Sequence, residues 1–275
     1  MRLLFSDRLA CVGVALIVVV LMVGLLAPYL APYPEQGRGQ SNLTERFEAP
    51  NGQHLLGTDN YGRDVLSRII YGARIPLVMG GAVLIGCLGV GVPLGGVAGY
   101  YGGRVDEAIM RVTDVFLAFP SVLLAIALVA FIGPSLKNTA IALIICWWPW
   151  YARLVRGITV STRTRQYVES ARVSGVSNLT VVRRHILPAT IGPVVVSASL
   201  DLGAVIISAA ALSFIGLGAQ PPTAEWGLMM NEGRPYILDA WWIATFPALA
   251  MFVLVLSTNL LGDGLRDALD PRSIR

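Results

Sequence analysis

Long apolar segments dominate this sequence and restrict the folds open to it. Of its 275 residues, 55% are hydrophobic and only 14% are charged, whereas soluble domains carry about 25% charged residues. A membrane-spanning helix needs about 20 predominantly apolar residues. Six segments approach that length: 9–30, 75–101, 113–132, 135–152, 191–217 and 242–261. None of them alternates with period two, as barrel strands do, so the sequence predicts an all-α polytopic membrane protein with six transmembrane helices.

The arginines set the predicted orientation in the membrane. Short cytoplasmic loops carry an excess of Lys and Arg, and twice as many of the 21 basic residues fall inside as outside when both termini are cytoplasmic. The predicted layout is a cytoplasmic N-terminus (1–8), a first helix (9–30), an extracytoplasmic loop with an interfacial helix (31–74), a core of five helices (75–262) and a cytoplasmic tail (263–275). Within the core lie a cytoplasmic loop (161–190) and an extracytoplasmic loop (218–241).

Each extracytoplasmic loop is expected to contain a short helix. In the first loop, Thr58 or Asp59 is a candidate N-cap. The apolar residues after it recur at helical spacing, as Val65, Leu66, Ile69 and Ile70, which suits a helix lying along the membrane interface. His54, just before this region, is expected to be an ordinary polar loop residue. The second loop is expected to hold a helix from Ala224 to about Gly233.

The cytoplasmic loop at 161–190 contains an ordered pattern. Glu169, Ala171 and Gly175 are followed at fixed distance by Leu187 and Pro188. This spacing resembles the EAA loop of bacterial ABC-importer permeases, the element that contacts the transporter's ATPase. Because the resemblance lies in a loop predicted to be cytoplasmic, it implies that this chain is such a permease.

The residue types in this loop suit a docking element. Ser170, where the family has alanine, and Ala171 are small and allow a partner to approach closely. Gly175 permits a turn with positive φ between two short helices, and Glu169 could pair with a basic group. His185 stands where isoleucine is usual. The predicted ATPase-coupling residues are Glu169, Ser170, Ala171, Gly175, His185, Leu187 and Pro188.

Four further segments narrow the resemblance. Segments 57–68, 213–218, 222–227 and 262–271 are similar to the C-type permease of the dipeptide/oligopeptide/nickel class. The resemblance implies an ABC type I importer fold in the bacterial inner membrane and uptake of di- or oligopeptides, with nickel, a nickel chelate or glutathione as alternatives. It also implies three kinds of partner: a B-type permease as heterodimer, two ABC ATPase subunits inside, and an extracytoplasmic substrate-binding protein.

The chain itself lacks the pattern expected of an ATPase. Its only lysine, Lys137, is not in a Gly-x-x-x-x-Gly-Lys-Ser/Thr loop, so ATP and Mg²⁺ are expected to be used by partner subunits. We expect no enzymatic activity, bound cofactor, metal site or nucleic-acid partner for this chain. The three cysteines, Cys11, Cys87 and Cys146, lie within apolar segments and are expected to pack there.

Asp201 lies well inside the fifth apolar segment. A charge at that depth costs about 2.5–3.5 kcal/mol on insertion scales. It therefore indicates either a translocation path that favours an ammonium group or cation, or a structural hydrogen bond or subunit pair. Asp201 could also be the relay of an ion-coupled secondary transporter, the rival class, whose uptake would survive loss of the ATPases.

Other polar and small residues are candidates for contacts with partners. The candidate contacts with a binding protein are Asp59, Arg63, Asp64, Glu225 and Trp226; for the last two, anchoring of a packed loop is an equal alternative. Gly91, Gly95 and Gly99 form a stripe four residues apart, which predicts close helix packing, within the chain or at a subunit interface. Asp114 is expected to pair with Arg111 on one helix.

Overall fold

The computed structural model describes residues 7–269, and within this range all regular elements are helical and no strand is present. This confirms the predicted all-α class. The helices are α1 (Arg8–Leu25), α2 (Ala27–Leu30), α3 (Pro34–Gly37), α4 (Val65–Gly72), α5 (Arg74–Tyr101), α6 (Gly103–Leu117), α7 (Ser121–Ile132), α8 (Leu136–Arg163), α9 (Gln166–Val173), α10 (Asn178–Val181), α11 (Leu187–Phe214), α12 (Trp226–Gly233) and α13 (Trp242–Leu269). A π-helical turn, Val182–Ile186, joins α10 to α11. The predictions for residues 1–6 and 270–275, including the end of the 262–271 segment, lie outside the described residues.

Four stretches are long and apolar enough to cross a membrane: α1, α4 with α5, α10 with α11, and α13. A fifth results if α6 and α7 together form one bent span. The predicted fourth span, 135–152, lies in the much longer α8, where the aromatic and proline residues at 147–150 and the polar ends lower the hydropathy. The number of six spans and the cytoplasmic location of the termini therefore stay predictions.

The expected single helix at 113–132 is instead two helices, α6 and α7, which meet at an angle of 85°. Pro120 stands at the break. It lacks an amide hydrogen and disfavours helical geometry at the residue before it, Phe119, so the helix ends there. Asp114 on α6 pairs with Arg153 on α8, and Arg111 pairs with Glu107. The expected pairing of Asp114 with Arg111 is wrong, because the side chain of Asp114 faces α8.

The glycine stripe on α5 packs within this chain. A methyl group added to Gly91 would lie 2.7 Å from the Trp148 carbonyl oxygen, and one on Gly99 would lie 2.6 Å from Thr159 Cβ. A methyl group added to Gly95 would lie closer still to the backbone of Ala152. The stripe therefore brings α5 against α8, as small residues do in membrane helix pairs. Elsewhere α1 packs along α13, and α11 packs against α5, α8 and α13.

The loops at 31–74 and 218–241 pack together at one end of the bundle. α4 contacts α1, α2, α3 and α13, so it is enclosed by protein, whereas the sequence favoured a helix resting on the membrane interface. Its N-cap is Asp64, whose carboxylate accepts a hydrogen bond from the Ser67 amide at 2.7 Å. The expected caps Thr58 and Asp59 are wrong, since both side chains hydrogen-bond elsewhere in the loop.

Candidate functional site

The loop at 161–190 folds as two short helices, α9 and α10, joined by a turn at Gly175. The φ of Gly175 is +77°, in the left-handed region that glycine enters without the penalty of a Cβ, as expected from the sequence. Ser177 then begins α10, accepting a hydrogen bond from the Thr180 amide through its hydroxyl. The result is a helical hairpin that projects beyond the ends of α8 and α11.

Contacts that the sequence did not predict hold this hairpin to the end of α5. The Tyr100 hydroxyl donates to Asn178 Oδ1 at 2.6 Å. Arg163 Nη1 donates to the carbonyl oxygens of Gly99 and Tyr100, at 3.0 and 3.1 Å. A small apolar cluster lies beneath these bonds and is formed by Tyr100, Val168, Val181 and Ile186. These contacts tie the hairpin to the helix bundle at the end of α5.

The predicted coupling residues lie on different sides of the hairpin. Glu169 and Ser170 are exposed on α9, Gly175 is exposed in the turn, and Ala171 is half-buried. His185 is half-buried in the π-helical turn. Its ring centroid lies 5.8 Å from that of Tyr167, so it bridges the two arms of the hairpin. Leu187 and Pro188 are exposed at the start of α11.

Two apolar side chains that were not predicted are exposed on the hairpin. Val173 lines a shallow groove together with Glu169 and Ser170, whereas Leu179 lines a separate cavity beside Tyr100. Val173 is 85% exposed and Leu179 is 67% exposed, one from each helix of the hairpin. Exposed apolar groups rimmed by polar residues are typical of protein-binding surfaces. We call the exposed set Glu169, Ser170, Val173 and Leu179 the hairpin surface; its contact with an ATPase stays a prediction.

At the other end of the molecule, two arginines and two carboxylates form a buried ionic cluster. Arg63 contacts Asp59 at 2.7 Å and Glu232 at 2.8 Å. Arg68 contacts the same two carboxylates at 2.6 and 2.8 Å and donates to the Thr223 carbonyl oxygen at 3.2 Å. Both arginines are at most 2% exposed. The cluster therefore links the loop at 31–74 to the loop at 218–241.

His54 lies beside this cluster between two further carboxylates. Its Nδ1 is 2.9 Å from Asp64 Oδ1 and its Nε2 is 3.3 Å from Glu45 Oε2. The side chain is almost completely buried, so the expectation of an ordinary polar loop residue is wrong. This arrangement could not be predicted from the sequence, because Glu45 and Asp64 lie about ten residues from His54 on either side.

Glu225 and Trp226 anchor the second loop. The Glu225 carboxylate caps α12, accepting from the amides of Gly227 at 2.9 Å and Leu228 at 2.7 Å. Burial raises the pKa of this carboxyl above its usual range, although the two amides act in the opposite direction. The Trp226 indole donates to the Ile69 carbonyl oxygen at 3.0 Å. α12 begins at Trp226, two residues after the expected start.

The five predicted contacts with a binding protein, namely Asp59, Arg63, Asp64, Glu225 and Trp226, are all 3% exposed or less. In this structure they stabilise the two loops from within and offer no docking surface. The packed-anchor alternative for Glu225 and Trp226 matches their observed contacts. Direct contact of these residues with a partner stays a prediction, and it would require their side chains to become accessible.

Asp201 lies near the middle of α11 and accepts a hydrogen bond from the Tyr151 hydroxyl of α8 at 2.7 Å. Tyr151 itself is completely buried. Asp201 also borders a cavity of about 260 Å³. The residues that line this cavity are Leu117, Ser121, Cys146, Trp147, Trp150 and Asp201. The structural hydrogen bond, one of the alternatives that the sequence offered, is thus present, while a role of Asp201 in a translocation path stays a prediction.

A bundle of long apolar helices that carries a two-helix hairpin and an acidic group beside an open pocket is typical of the membrane subunit of a transporter. Residues 91–275 match the sequence model of the binding-protein-dependent transport system inner membrane component, and residues 1–50 match that of the N-terminal TM domain of oligopeptide transport permease C. The chain belongs to this family of ABC-importer permeases, and within it to the dipeptide/oligopeptide class.

Named relatives cover nearly the whole chain. The dipeptide transport system permease protein DppC of Alkalihalophilus pseudofirmus is 43% identical, covering 97% of this chain and 87% of the relative. The glutathione transport system permease protein GsiD of Pectobacterium atrosepticum is 45% identical, covering 98% and 89%. GsiD of Escherichia coli O157:H7 is 47% identical, covering 97% and 87%.

A solved structure shares the fold. The MetNI methionine ABC transporter, in an inward-facing conformation, aligns with a TM-score of 0.58 and 19% identity, covering 73% of this chain and 95% of that one.

Membership of the permease family makes the protein a multi-pass component of the bacterial inner membrane. It is a transport component that works with ATPase and substrate-binding partners.

Proposed function

We propose that this chain forms part of the pathway by which di- or oligopeptides enter the cell. The observation that carries the proposal is the similarity to a dipeptide permease along 97% of the chain, joined to the match with an oligopeptide permease at residues 1–50. Because both similarities fall in one subfamily, a substrate built from amino acids is the simplest common cargo.

In this proposal the importer is asymmetric. A distinct B-type permease pairs with this chain, and two ATPase subunits bind and hydrolyse ATP with Mg²⁺ on the cytoplasmic side. This chain binds neither ATP nor Mg²⁺. A substrate-binding protein docks outside on the packed loops at 31–74 and 218–241. The buried ionic cluster supports this role, since a rigid platform loses little conformational entropy on binding.

In this mechanism the movement of the ATPase subunits is transmitted to this chain through the hairpin surface. Glu169 and Ser170 contact the ATPase together with Val173 and Leu179, while Ala171 and Gly175 permit the close approach. His185, Leu187 and Pro188 connect the hairpin to α11. Because α11 carries Asp201, movement of the hairpin would reach the proposed translocation path directly.

Reconstitution tests the coupling. We expect peptide uptake into vesicles containing both permeases, the ATPases and the binding protein to stop when the ATPases are omitted. An ion-coupled secondary transporter would continue to take up peptide.

A substitution in the hairpin tests the docking surface. Val173→Asp should lower uptake at least about tenfold, because it places a charge in an apolar contact. Val105→Asp, at an exposed position near the start of α6 and outside the predicted spans, is the control for a surface charge; equal effects would argue against the hairpin as the docking site.

Glutathione, itself a tripeptide, is the second candidate, and the relatives named as glutathione permeases favour it. Competition separates the two cargoes. If glutathione is the cargo, unlabelled glutathione should block uptake of labelled glutathione, while a dialanine excess should not. The opposite pattern, with labelled dialanine transported and glutathione inert, would remove this candidate.

A further inference from the structure

The cavity beside Asp201 contains an acidic group without a cationic partner. Asp201 accepts one hydrogen bond, from Tyr151 to Oδ2. None of the six residues lining the cavity is basic, and no ion pair joins Asp201 to another of the described residues. A carboxylate inside a membrane protein normally faces a partner or a water-filled cavity. A cationic ligand would supply the missing charge.

We propose that this cavity binds the N-terminal ammonium group of the transported peptide, with Asp201 as its counter-ion. The inference rests on the proposed function, since the N-terminal ammonium is the cation that every unmodified peptide carries. The hydrogen bond from Tyr151 fixes one carboxylate oxygen, and Oδ1 is left to accept from the ammonium. Tyr151 is thus a positioning residue, because its buried ring holds the carboxylate in place.

Aromatic residues in the cavity wall strengthen the argument for a cation. Trp147 and Trp150 line the same cavity as Asp201. The face of an indole ring attracts an ammonium group, and tryptophan is the strongest such partner among the side chains. The combination of one carboxylate and two indoles favours a cation over an anion or an uncharged ligand.

The break between α6 and α7 borders this cavity. Leu117, the last residue of α6, and Ser121, the first of α7, both line it. Non-helical backbone within a membrane protein is tolerated where it is buried in protein or lines a water-filled cavity. Phe119 at the break is 57% exposed, so this chain does not enclose the break, and we expect a hydrated peptide to enter beside it.

Charge-selective labelling tests the site without depending on transport. In a background with Cys11, Cys87 and Cys146 changed to alanine, Ser121→Cys places a thiol in the cavity wall. We expect a cationic methanethiosulfonate reagent to react about tenfold faster than an anionic one of similar size in the purified complex in nanodiscs, after correction for a free thiol. Adding Asp201→Asn should remove most of this preference.

Protection of the same thiol identifies the ligand group. Dialanine should slow the modification, while N-acetyl-dialanine, which lacks the ammonium, should not. Equal protection by both peptides, an unreactive thiol, or a preference that persists in Asp201→Asn would each overturn the proposal. Uptake that continues without the ATPases would instead overturn the proposed function, so the two failures are distinguishable.

Transport assays supply the second test. We expect Asp201→Asn to reduce peptide uptake per ATP hydrolysed about tenfold, while the liganded binding protein still stimulates ATPase activity. Asp201→Glu should restore part of the uptake, because it retains the charge. Ser199→Ala, two residues away on α11, removes a hydroxyl bonded only to its own helix and is the matched control. Wild-type uptake by Asp201→Asn would contradict the proposal.

Discussion

Single residues in the packed loops at 31–74 and 218–241 determine how these two loops hold together. Asp59 lies within 2.7 Å of both Arg63 and Arg68, and all three are buried. Removing one member of such a cluster leaves charge without a partner in a region from which water is excluded. The cost of breaking a buried pair is far greater than that of breaking an exposed one.

Asp59→Asn should therefore destabilise the protein. The substitution preserves the volume of the side chain but removes the charge shared by Arg63 and Arg68, and we expect a loss of about 3 kcal/mol. Thermal unfolding of the purified subunit or complex in detergent measures it. Glu35→Gln, which breaks the exposed pair with Arg38, is the control and should leave the midpoint unchanged. Equal midpoints for the two variants would contradict a stabilising role for the cluster.

Gly175 supports a second prediction at this scale. Its φ of +77° is unfavourable for side chains with a Cβ, and no atom lies within 4 Å of where that Cβ would be. Gly175→Ala should therefore cost about 1 kcal/mol of local stability through backbone strain alone. Hydrogen exchange in α9 and α10 should become faster. Gly175→Asn, which tolerates this conformation better, should have a smaller effect; the reverse order would rule out strain as the cause.

At the scale of helices, sequence patterns predicted positions well where the chain is uniformly apolar. α13 begins at Trp242 and α5 at Arg74, at or next to the predicted starts. The prediction failed at 113–132, because hydropathy alone does not register the effect of Pro120. The helix that contains the predicted fourth span continues past Ala152 to Arg163, and Arg153 and Arg156 in this extension pair with α6.

The packing of α5 on α8 gives a matched pair of substitutions. Gly95→Ala adds a methyl group that overlaps the backbone of Ala152, whereas Gly96→Ala adds one with nothing within 4 Å. We expect overpacking in Gly95→Ala to destabilise the complex by about 1–3 kcal/mol. The thermal midpoint of the complex should fall accordingly. Gly96→Ala should be neutral or slightly stabilising, because alanine is the better helix former. If Gly96→Ala were the more damaging, the stripe would instead serve a contact outside this chain.

At the scale of the whole molecule, the orientation in the membrane is open to direct measurement. The hairpin and the packed loops lie on opposite sides of the bilayer in the predicted topology. Leu238 in the second packed loop is 92% exposed and Val173 in the hairpin is 85% exposed, so cysteines at these positions are equally accessible to reagents.

Labelling of sealed spheroplasts should discriminate between the two positions. In the cysteine-free background, an impermeant maleimide should modify Leu238→Cys in spheroplasts, since this loop is predicted to be extracytoplasmic. Val173→Cys should react only after the membrane is opened. Modification of Val173→Cys in sealed spheroplasts would reverse the predicted orientation and remove the hairpin from the reach of a cytoplasmic ATPase.

The all-α class, the family and the glycine turn of the hairpin were predictable from the residues alone, because hydropathy, motif spacing and backbone restrictions act locally along the chain. Which polar groups meet was not predictable in this way, because it depends on the three-dimensional packing. Glu232 joins Arg63 across 169 residues, Asn178 meets Tyr100 across 78, and Tyr151 meets Asp201 across 50. Such pairs depend on the packing of distant helices, and a charge that looks solvated in the sequence becomes a buried partner once those helices assemble.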